Sequence, residues 1–262
     1  MAIARARLFS SALGMCVTCD VILPQRRDSA PDRKLPVLWL LHGAYGNHFD
    51  WIRRTSIERY AAPYGLAVVM PSAQNSCYTD MAHGGRYYTY ISQELPESMS
   101  KLFNFSRRRE DNFIAGLSMG GTGAIRMAWR YPERYRAAAA MSAVPDLTQS
   151  FCEASDPSYE AQLRQSVQSV YGGETAAQNE GDELLKLGAA QQRLGVKLPP
   201  LLFHYGEQDV RFQAQYLPFK RFCEANRLPV TFATAPGRHN FDYWEPTIRQ
   251  IFRWFMEVHQ NS

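Results

Sequence analysis

The chain has 262 residues, of which 45% are hydrophobic and 21% are charged. This length suits one large α/β domain or two small ones, and the composition is ordinary for a soluble protein. The net charge of +4 is too small to predict a nucleic-acid partner, and no stretch approaches the roughly 20 apolar residues of a membrane span. The N-terminus lacks the apolar core of a secretory signal. The five irregularly spaced cysteines favour reduced thiols, so we expect a cytoplasmic protein.

Strand and helix patterns alternate along the first half of the chain. Met15–Leu23 alternates as a strand, and Pro36–Leu41 is a continuous apolar run typical of a strand buried on both faces. A helix is predicted over 50–62, followed by the strand Leu66–Met70 and an aperiodic loop over 72–86.

The alternation continues to the C-terminus with one interruption, a segment near 145–198 that contains weak helical pieces and is predicted to be an insertion. It either caps a site or is a surface excursion. A strand is predicted over 112–117, and further strands are predicted over 136–141, 200–205 and 229–234. Helices are predicted over 88–103, directly after the strand 112–117, near 212–225 and at the C-terminus. Such an order predicts one domain over 1–262 with a mostly parallel sheet and helices on both faces.

The segment Gly116-Leu117-Ser118-Met119-Gly120 is a G-x-S-x-G box placed between a predicted strand and a predicted helix. A strand that turns sharply into a helix at a serine is the nucleophile elbow of an α/β-hydrolase. The sequence therefore predicts the α/β-hydrolase fold, with Ser118 as the nucleophile.

A serine nucleophile in this fold is followed along the chain by an acid and then by a histidine. Asp209 and His239 each follow a predicted strand and stand in that order. Imidazole is the side chain suited to take the serine proton near neutral pH, and a carboxylate orients it. Glu207 and Asp146 are the alternative acids.

An oxyanion hole needs two backbone amides that point at the developing negative charge. We expect Met119, at the start of the helix after the elbow, to supply one amide. Ala44, in the loop His42-Gly43-Ala44 after a buried strand, is expected to supply the other.

Four side chains are candidates for contact with the substrate because they lie in loops near the predicted site: Trp51, Tyr78, His83 and Trp244. Tyrosine and tryptophan combine an apolar body with a polar tip, which suits acyl or aromatic esters. The same aromatic residues are also common in cores. No cofactor or metal is expected, because this chemistry requires neither.

The chain resembles the tributyrin esterase and esterase D-like group in five segments: Leu41–Asn47 with Asp50-Trp51, Gly65–Pro71, Glu94–Pro96, Gly116–Gly121 and Gly237–Trp244. The resemblance covers nearly the whole chain and is weakest over 145–198. It implies a serine carboxylesterase that acts on short-chain esters. S-formylglutathione hydrolases of that group typically carry a cysteine after the His-Gly pair, where this chain has Ala44-Tyr45-Gly46-Asn47.

The predicted partner is therefore a small ester, with no nucleic acid and no membrane, and a homo-oligomer is compatible with the sequence. The alternatives are a thioesterase of the S-formylglutathione hydrolase type, an acyltransferase, and a non-catalytic binding module on a hydrolase scaffold.

Overall fold

The computed structural model describes residues 1–25, 34–143 and 157–260. Within them, eight strands form one sheet in the order β1-β2-β4-β3-β5-β6-β7-β8. The strands are β1 (Ala2–Ser10), β2 (Met15–Leu23), β3 (Val37–Leu41), β4 (Ala67–Pro71), β5 (Asn112–Leu117), β6 (Ala137–Met141), β7 (Leu201–Gly206) and β8 (Val230–Ala235). β1 and β4 pair antiparallel with β2, and every other pair is parallel. The predicted mostly parallel sheet is confirmed.

Helices cover both faces of this sheet. They are α1 (Asp50–Arg54), α2 (Ile57–Ala61), α3 (Tyr87–Thr89), α4 (Leu95–Leu102), α5 (Met119–Arg130), α6 (Pro157–Tyr171), α7 (Glu174–Arg193), α8 (Val210–Ala225) and α9 (Phe241–Gln260). A π-helical turn over Tyr90–Glu94 joins α3 to α4. None of the described helices is both long and apolar enough to cross a membrane.

The helix predicted over 50–62 is wrong in its continuity, because it breaks at Thr55. The Thr55 hydroxyl donates to the carbonyl of Trp51 at 2.5 Å. The Ser56 amide donates to Glu245 Oε1, 3.0 Å away in α9. The Ile57 amide donates to Thr55 Oγ1 at 3.2 Å. The amides of Ser56 and Ile57 thus bond to side chains instead of the carbonyls one helical turn earlier, and α1 and α2 remain separate short helices.

The strands β3, β5, β6 and β7 are buried along their whole length, which explains their continuous apolar sequences. On one face, α9 packs a fully buried stripe formed by Ile248, Ile251, Phe252 and Phe255. This stripe has the helical spacing that the sequence predicts.

The first strand, β1, has no counterpart among the predicted elements. It lies at the edge of the sheet, and its exposed side chains include Ile3 and Phe9. Arg5 donates to both carboxylate oxygens of the buried Asp20 on β2, at 2.7 and 2.9 Å. This bidentate pair joins the edge strand to its neighbour.

The segment near 145–198, which the sequence predicts to be an insertion and which keeps that name below, contains the two helices α6 and α7. Helix α7 packs on α5, where Gly188 lies against the ring of Trp129. The amides of Ala82 and His83 donate to the carbonyls of Val170 and Ser169 in α6, both at 2.9 Å. The described part of the insertion therefore contacts both the helix that follows Ser118 and the loop over 72–86.

Candidate active site

Ser118 stands at the junction between β5 and α5 in a strained conformation. Its φ of 51° and ψ of −122° lie where non-glycine residues are rarely found. Its amide donates to the carbonyl of Met141 on β6 at 2.7 Å, and its own carbonyl accepts from Gly121 at 2.9 Å. Such strain persists only where neighbouring structure fixes it, and it is typical of functional sites.

Two glycines permit this tight turn. A Cβ on Gly116 would overlap the carbonyl of Gly120. A Cβ on Gly120 would lie 2.5 Å from the carbonyl oxygen of His42 and 2.7 Å from that of Leu41. The missing side chain at Gly116 therefore permits the turn from β5 into α5, and the missing side chain at Gly120 lets the end of β3 approach the start of α5.

His239 and Asp209 lie on adjacent loops because β7 and β8 are parallel neighbours, with Gly206 opposite Ala235. The two loops are also hydrogen-bonded to each other. The amide of Gln208 donates to the carbonyl of Gly237 at 2.9 Å, and the amide of Gly237 donates to Gln208 Oε1. The sequence gives no signal for this link, since a glutamine between two acidic residues looks like an ordinary exposed turn.

The structure brings the three predicted side chains into one hydrogen-bonded line. His239 Nε2 lies 3.0 Å from Ser118 Oγ, and His239 Nδ1 lies 2.8 Å from Asp209 Oδ2. The side chain of Asp209 is fully buried and that of His239 is 21% exposed. This order of groups suits proton transfer from the hydroxyl to a ring that the carboxylate orients.

The alternative acids occupy different places. Glu207 is exposed, and the carboxylate oxygen that contacts the ring of His239 belongs to Asp209. Asp146 lies outside the described residues.

The amides of Ala44 and Met119 are the predicted oxyanion donors. Among the described residues, neither amide has a hydrogen-bond acceptor. Met119 opens α5, whose N-terminal end carries the positive end of the helix dipole. Ala44 is exposed and follows the buried His42 and Gly43. Met119 adjoins Ser118, and a Cβ added to Gly43, the residue before Ala44, would lie 3.4 Å from the Cβ of Ser118. Both N–H groups are therefore available to an anion beside Ser118.

The loop that carries Ala44 is held by the loop over 72–86. Asn75 Oδ1 accepts from the amide of Tyr45 at 2.7 Å. His42 Nε2 lies 2.9 Å from the amide of Ala73, and His42 Nδ1 lies 2.7 Å from the carbonyl of Gly43. Because an amide can only donate, Nε2 is the acceptor and the proton is on Nδ1. Burial lowers the pKa of His42, in keeping with this neutral form.

Two of the predicted substrate contacts are corrected by the structure. Trp51 and Tyr78 have no exposed surface. Trp51 Nε1 donates to the carbonyl of Leu41 at 3.2 Å, and the Tyr78 hydroxyl donates to the carbonyl of His42 at 2.9 Å. Both side chains support the end of β3 from inside the core and present nothing to a substrate.

The other two predicted contacts lie elsewhere. His83 is exposed on the loop that contacts α6. Trp244 is 6% exposed and stands against His239. A role in substrate contact remains a prediction for both.

No group of three or more His, Cys, Asp or Glu side chains is placed to hold a metal ion in the described part of the chain. Its four cysteines, Cys16, Cys19, Cys77 and Cys223, are free thiols; Cys152 lies outside it.

Residues 10–255 match the family model Esterase, described as "Putative esterase". The chain is 26% identical to an acetyl esterase of Caldicellulosiruptor saccharolyticus over 98% of its own length and 99% of the relative's. It is 29% identical to the S-formylglutathione hydrolase of Paracoccus denitrificans strain Pd 1222, over 95% of this chain and 90% of that protein.

A solved structure shows the same likeness. The chain is 31% identical to FphF, a fluorophosphonate-binding serine hydrolase of Staphylococcus aureus, with a TM-score of 0.81. The alignment covers 97% of this chain and 98% of that protein. The resemblance in sequence therefore extends to the whole fold.

Proposed function

The chain belongs to the esterase family, and from this premise we propose that it hydrolyses short-chain carboxylic esters through an acyl-enzyme on Ser118. The observation that carries the proposal is the line of hydrogen bonds from Ser118 Oγ through the ring of His239 to Asp209. Asp209, His239 and Ser118 would act as one catalytic triad.

Acylation begins when Ser118 Oγ attacks the carbonyl carbon of the ester. The hydroxyl proton moves to His239 Nε2, which then protonates the leaving alcohol as its C–O bond breaks. The Asp209 carboxylate holds the proton of Nδ1 and stabilises the imidazolium without taking the proton itself. Water repeats the sequence on the acyl-enzyme and releases the acid and Ser118.

The tetrahedral intermediates place negative charge on the former carbonyl oxygen. The unoccupied amides of Ala44 and Met119 support an oxyanion hole at this position. One such donor is worth about 2.7–4 kcal/mol in comparable enzymes. Since Met119 opens α5 and hydrogen bonds to Asn75 and His42 hold the loop that carries Ala44, the two amides need little rearrangement when the charge appears.

The acyl chain we propose is short, which the likeness to an acetyl esterase supports. Thioester hydrolysis of the S-formylglutathione type is the second candidate, because a relative with that name is 29% identical over most of the chain. We also infer a cytoplasmic location, which the free thiols support.

Hydrolysis of p-nitrophenyl acetate, butyrate and octanoate, beside S-formylglutathione and feruloyl esters, tests the proposal. We expect turnover to be highest on the shorter p-nitrophenyl esters and to be lost in Ser118→Ala, with an unchanged circular dichroism spectrum. A higher kcat/KM on S-formylglutathione would favour the second candidate. No turnover by the wild-type protein would favour a binding module.

A further inference from the structure

Arg126 is a buried cation on α5, about two helical turns beyond Ser118. The residue is 2% exposed. Its Nη1 donates to the carbonyls of Cys77 and Tyr78, at 2.7 and 3.3 Å. Its Nη2 lies 3.3 Å from Glu180 Oε1 on α7. One guanidinium therefore joins the helix after Ser118, the loop over 72–86 and the insertion.

The two carbonyls that Arg126 binds belong to residues with strained backbone. Cys77 and Tyr78 have φ values of 51° and 55°, a region that residues with a Cβ rarely adopt. Such a pair persists only where other interactions fix it. Charge-assisted hydrogen bonds from a buried guanidinium are strong enough to do so.

The strained pair fixes the side chain of Tyr78. Its ring packs on α5 at Gly123, where an added Cβ would lie 2.7 Å from the ring. Its hydroxyl donates to the carbonyl of His42 at 2.9 Å. That carbonyl precedes Gly43 and Ala44, so the hydroxyl acts on the segment that presents the Ala44 amide.

We propose that Arg126 and Tyr78 are positioning residues that set the Ala44 amide for the oxyanion, and that Glu180 of the insertion holds Arg126 in place. This inference rests on the proposed function. The contacts form one continuous line: Glu180, Arg126, the backbone of Tyr78, the Tyr78 hydroxyl and the carbonyl of His42.

Glu180 is the residue through which the insertion takes part in these contacts. Glu180 also lies 3.7 Å from the guanidinium of Arg130, and its side chain is 27% exposed. It is therefore the end of this line of contacts that lies at the surface. Removing its charge leaves Arg126 buried without its carboxylate partner, which permits the guanidinium to shift. The shift would pass through Tyr78 to the Ala44 amide. A small displacement of that amide matters, because misplacement of a catalytic group by about 1 Å can cost about a hundredfold in rate.

The test compares Tyr78→Phe and Glu180→Gln with Asp182→Asn. Asp182 is a matched control, since it lies on the same helix as Glu180, is itself exposed, and has its one ion pair among the described residues with the exposed Lys186, at 3.7 Å. Three quantities are measured: kcat and KM on p-nitrophenyl butyrate, and the Ki of a butyl trifluoromethyl ketone. This inhibitor forms a tetrahedral adduct whose oxyanion occupies the hole.

We expect Tyr78→Phe and Glu180→Gln to lower kcat by about tenfold or more, to leave KM within about twofold, and to raise Ki by the factor that kcat/KM loses. Asp182→Asn should match the wild type. If the two residues had only a structural role, the variants would have a lower unfolding midpoint but the same kcat and Ki per folded enzyme as the wild type. This result would overturn the inference. If Tyr78→Phe does not fold, Glu180→Gln alone decides between the two outcomes.

Comparison of ester turnover by the wild type and by Ser118→Ala tests the proposed function independently of these variants. Turnover that depends on Ser118, together with unaltered kcat and Ki in Glu180→Gln, would reject only the positioning role.

Discussion

The indole of Trp244 stands edge-on against the imidazole of His239, with ring centroids 4.9 Å apart and ring planes at 85°. Trp244 is nearly buried, and its Nε1 donates to Ser142 Oγ at 3.2 Å. The indole is thus fixed at its far end and limits how the ring of His239 can tilt. An aromatic pair of this geometry is worth about 0.5–1.5 kcal/mol beyond its buried area.

Replacing Trp244 by leucine should lower kcat by about tenfold with little change in KM, because His239 loses the aromatic contact that keeps its ring aligned with Ser118. Trp244→Phe retains an aromatic edge and should lose less than about threefold. Steady-state kinetics on p-nitrophenyl acetate measures both. Equal losses in the two variants would show that the aromatic contact does not orient the ring.

Gly120 is a position where the elbow closely approaches the end of β3. Gly120→Ala should lower the free energy of unfolding by about 1–3 kcal/mol, because its Cβ would overlap the carbonyls of His42 and Leu41. It should also lower kcat by about tenfold or more, since the Ala44 segment is displaced. Urea denaturation and ester hydrolysis measure the two effects.

Gly195 provides the control for Gly120. It has a φ of +72° and open space around an added Cβ. Asparagine tolerates that backbone, so Gly195→Asn should change unfolding by less than about 1 kcal/mol and leave kcat unchanged. If Gly120→Ala changes the free energy of unfolding and kcat as little as Gly195→Asn does, the close approach of β3 to the elbow does not require glycine at position 120.

Ser72 and His48 form a second serine–histidine pair, with His48 Nδ1 2.7 Å from Ser72 Oγ. This hydroxyl also accepts from the amide of His48 at 3.1 Å. In the described part of the chain, no carboxylate is hydrogen-bonded to the ring of His48. We therefore expect Ser72 to be a structural contact, and Ser72→Ala should keep more than about a tenth of wild-type kcat/KM. A loss as large as that in Ser118→Ala would instead place the nucleophile at Ser72.

His42 should make the protein less stable in mild acid. Burial holds its pKa below the value of about 6.5 in the unfolded chain. Between the two values the unfolded state binds more protons, so the free energy of unfolding falls as the pH drops below about 6.5. The maximum slope for one group is about 1.4 kcal/mol per pH unit.

His42→Gln removes this proton uptake. Urea denaturation at pH 7.5 and 5.0 should show a smaller loss of the free energy of unfolding on acidification in the variant than in the wild type. Burial also lowers the pKa of His48 and His204, so part of the wild-type loss should remain. An identical loss in both proteins would mean that His42 binds its proton equally well in the folded state.

The sequence predicts the central strands well because their environment is uniform. Val37–Leu41 and Asn112–Leu117 are buried on both faces, so burial alone determines their composition. The edge strand β1 has no continuous apolar run. Arg5 and Arg7 alternate there with half-buried apolar residues, a weaker strand pattern that the prediction missed. Its strand structure also depends on pairing with β2 in a hairpin.

The candidate site was predictable where spacing and topology fix it. Ser118, Asp209 and His239 follow strands whose ends meet at one edge of the sheet. Trp51 and Tyr78 were wrongly assigned because an aromatic residue in a loop can point into the core as readily as into a pocket. Arg126 was not predicted at all. Its role depends on Glu180 and Tyr78, which become its neighbours only after the chain has folded.

The central claim is that His239 activates Ser118 as the nucleophile. Reaction with a fluorophosphonate, followed by mass spectrometry of the labelled peptides, tests it directly. We expect one adduct per chain on Ser118, no adduct in Ser118→Ala, and labelling slowed by about a hundredfold or more in His239→Ala. An adduct on a different serine, or wild-type labelling rates in His239→Ala, would contradict the account.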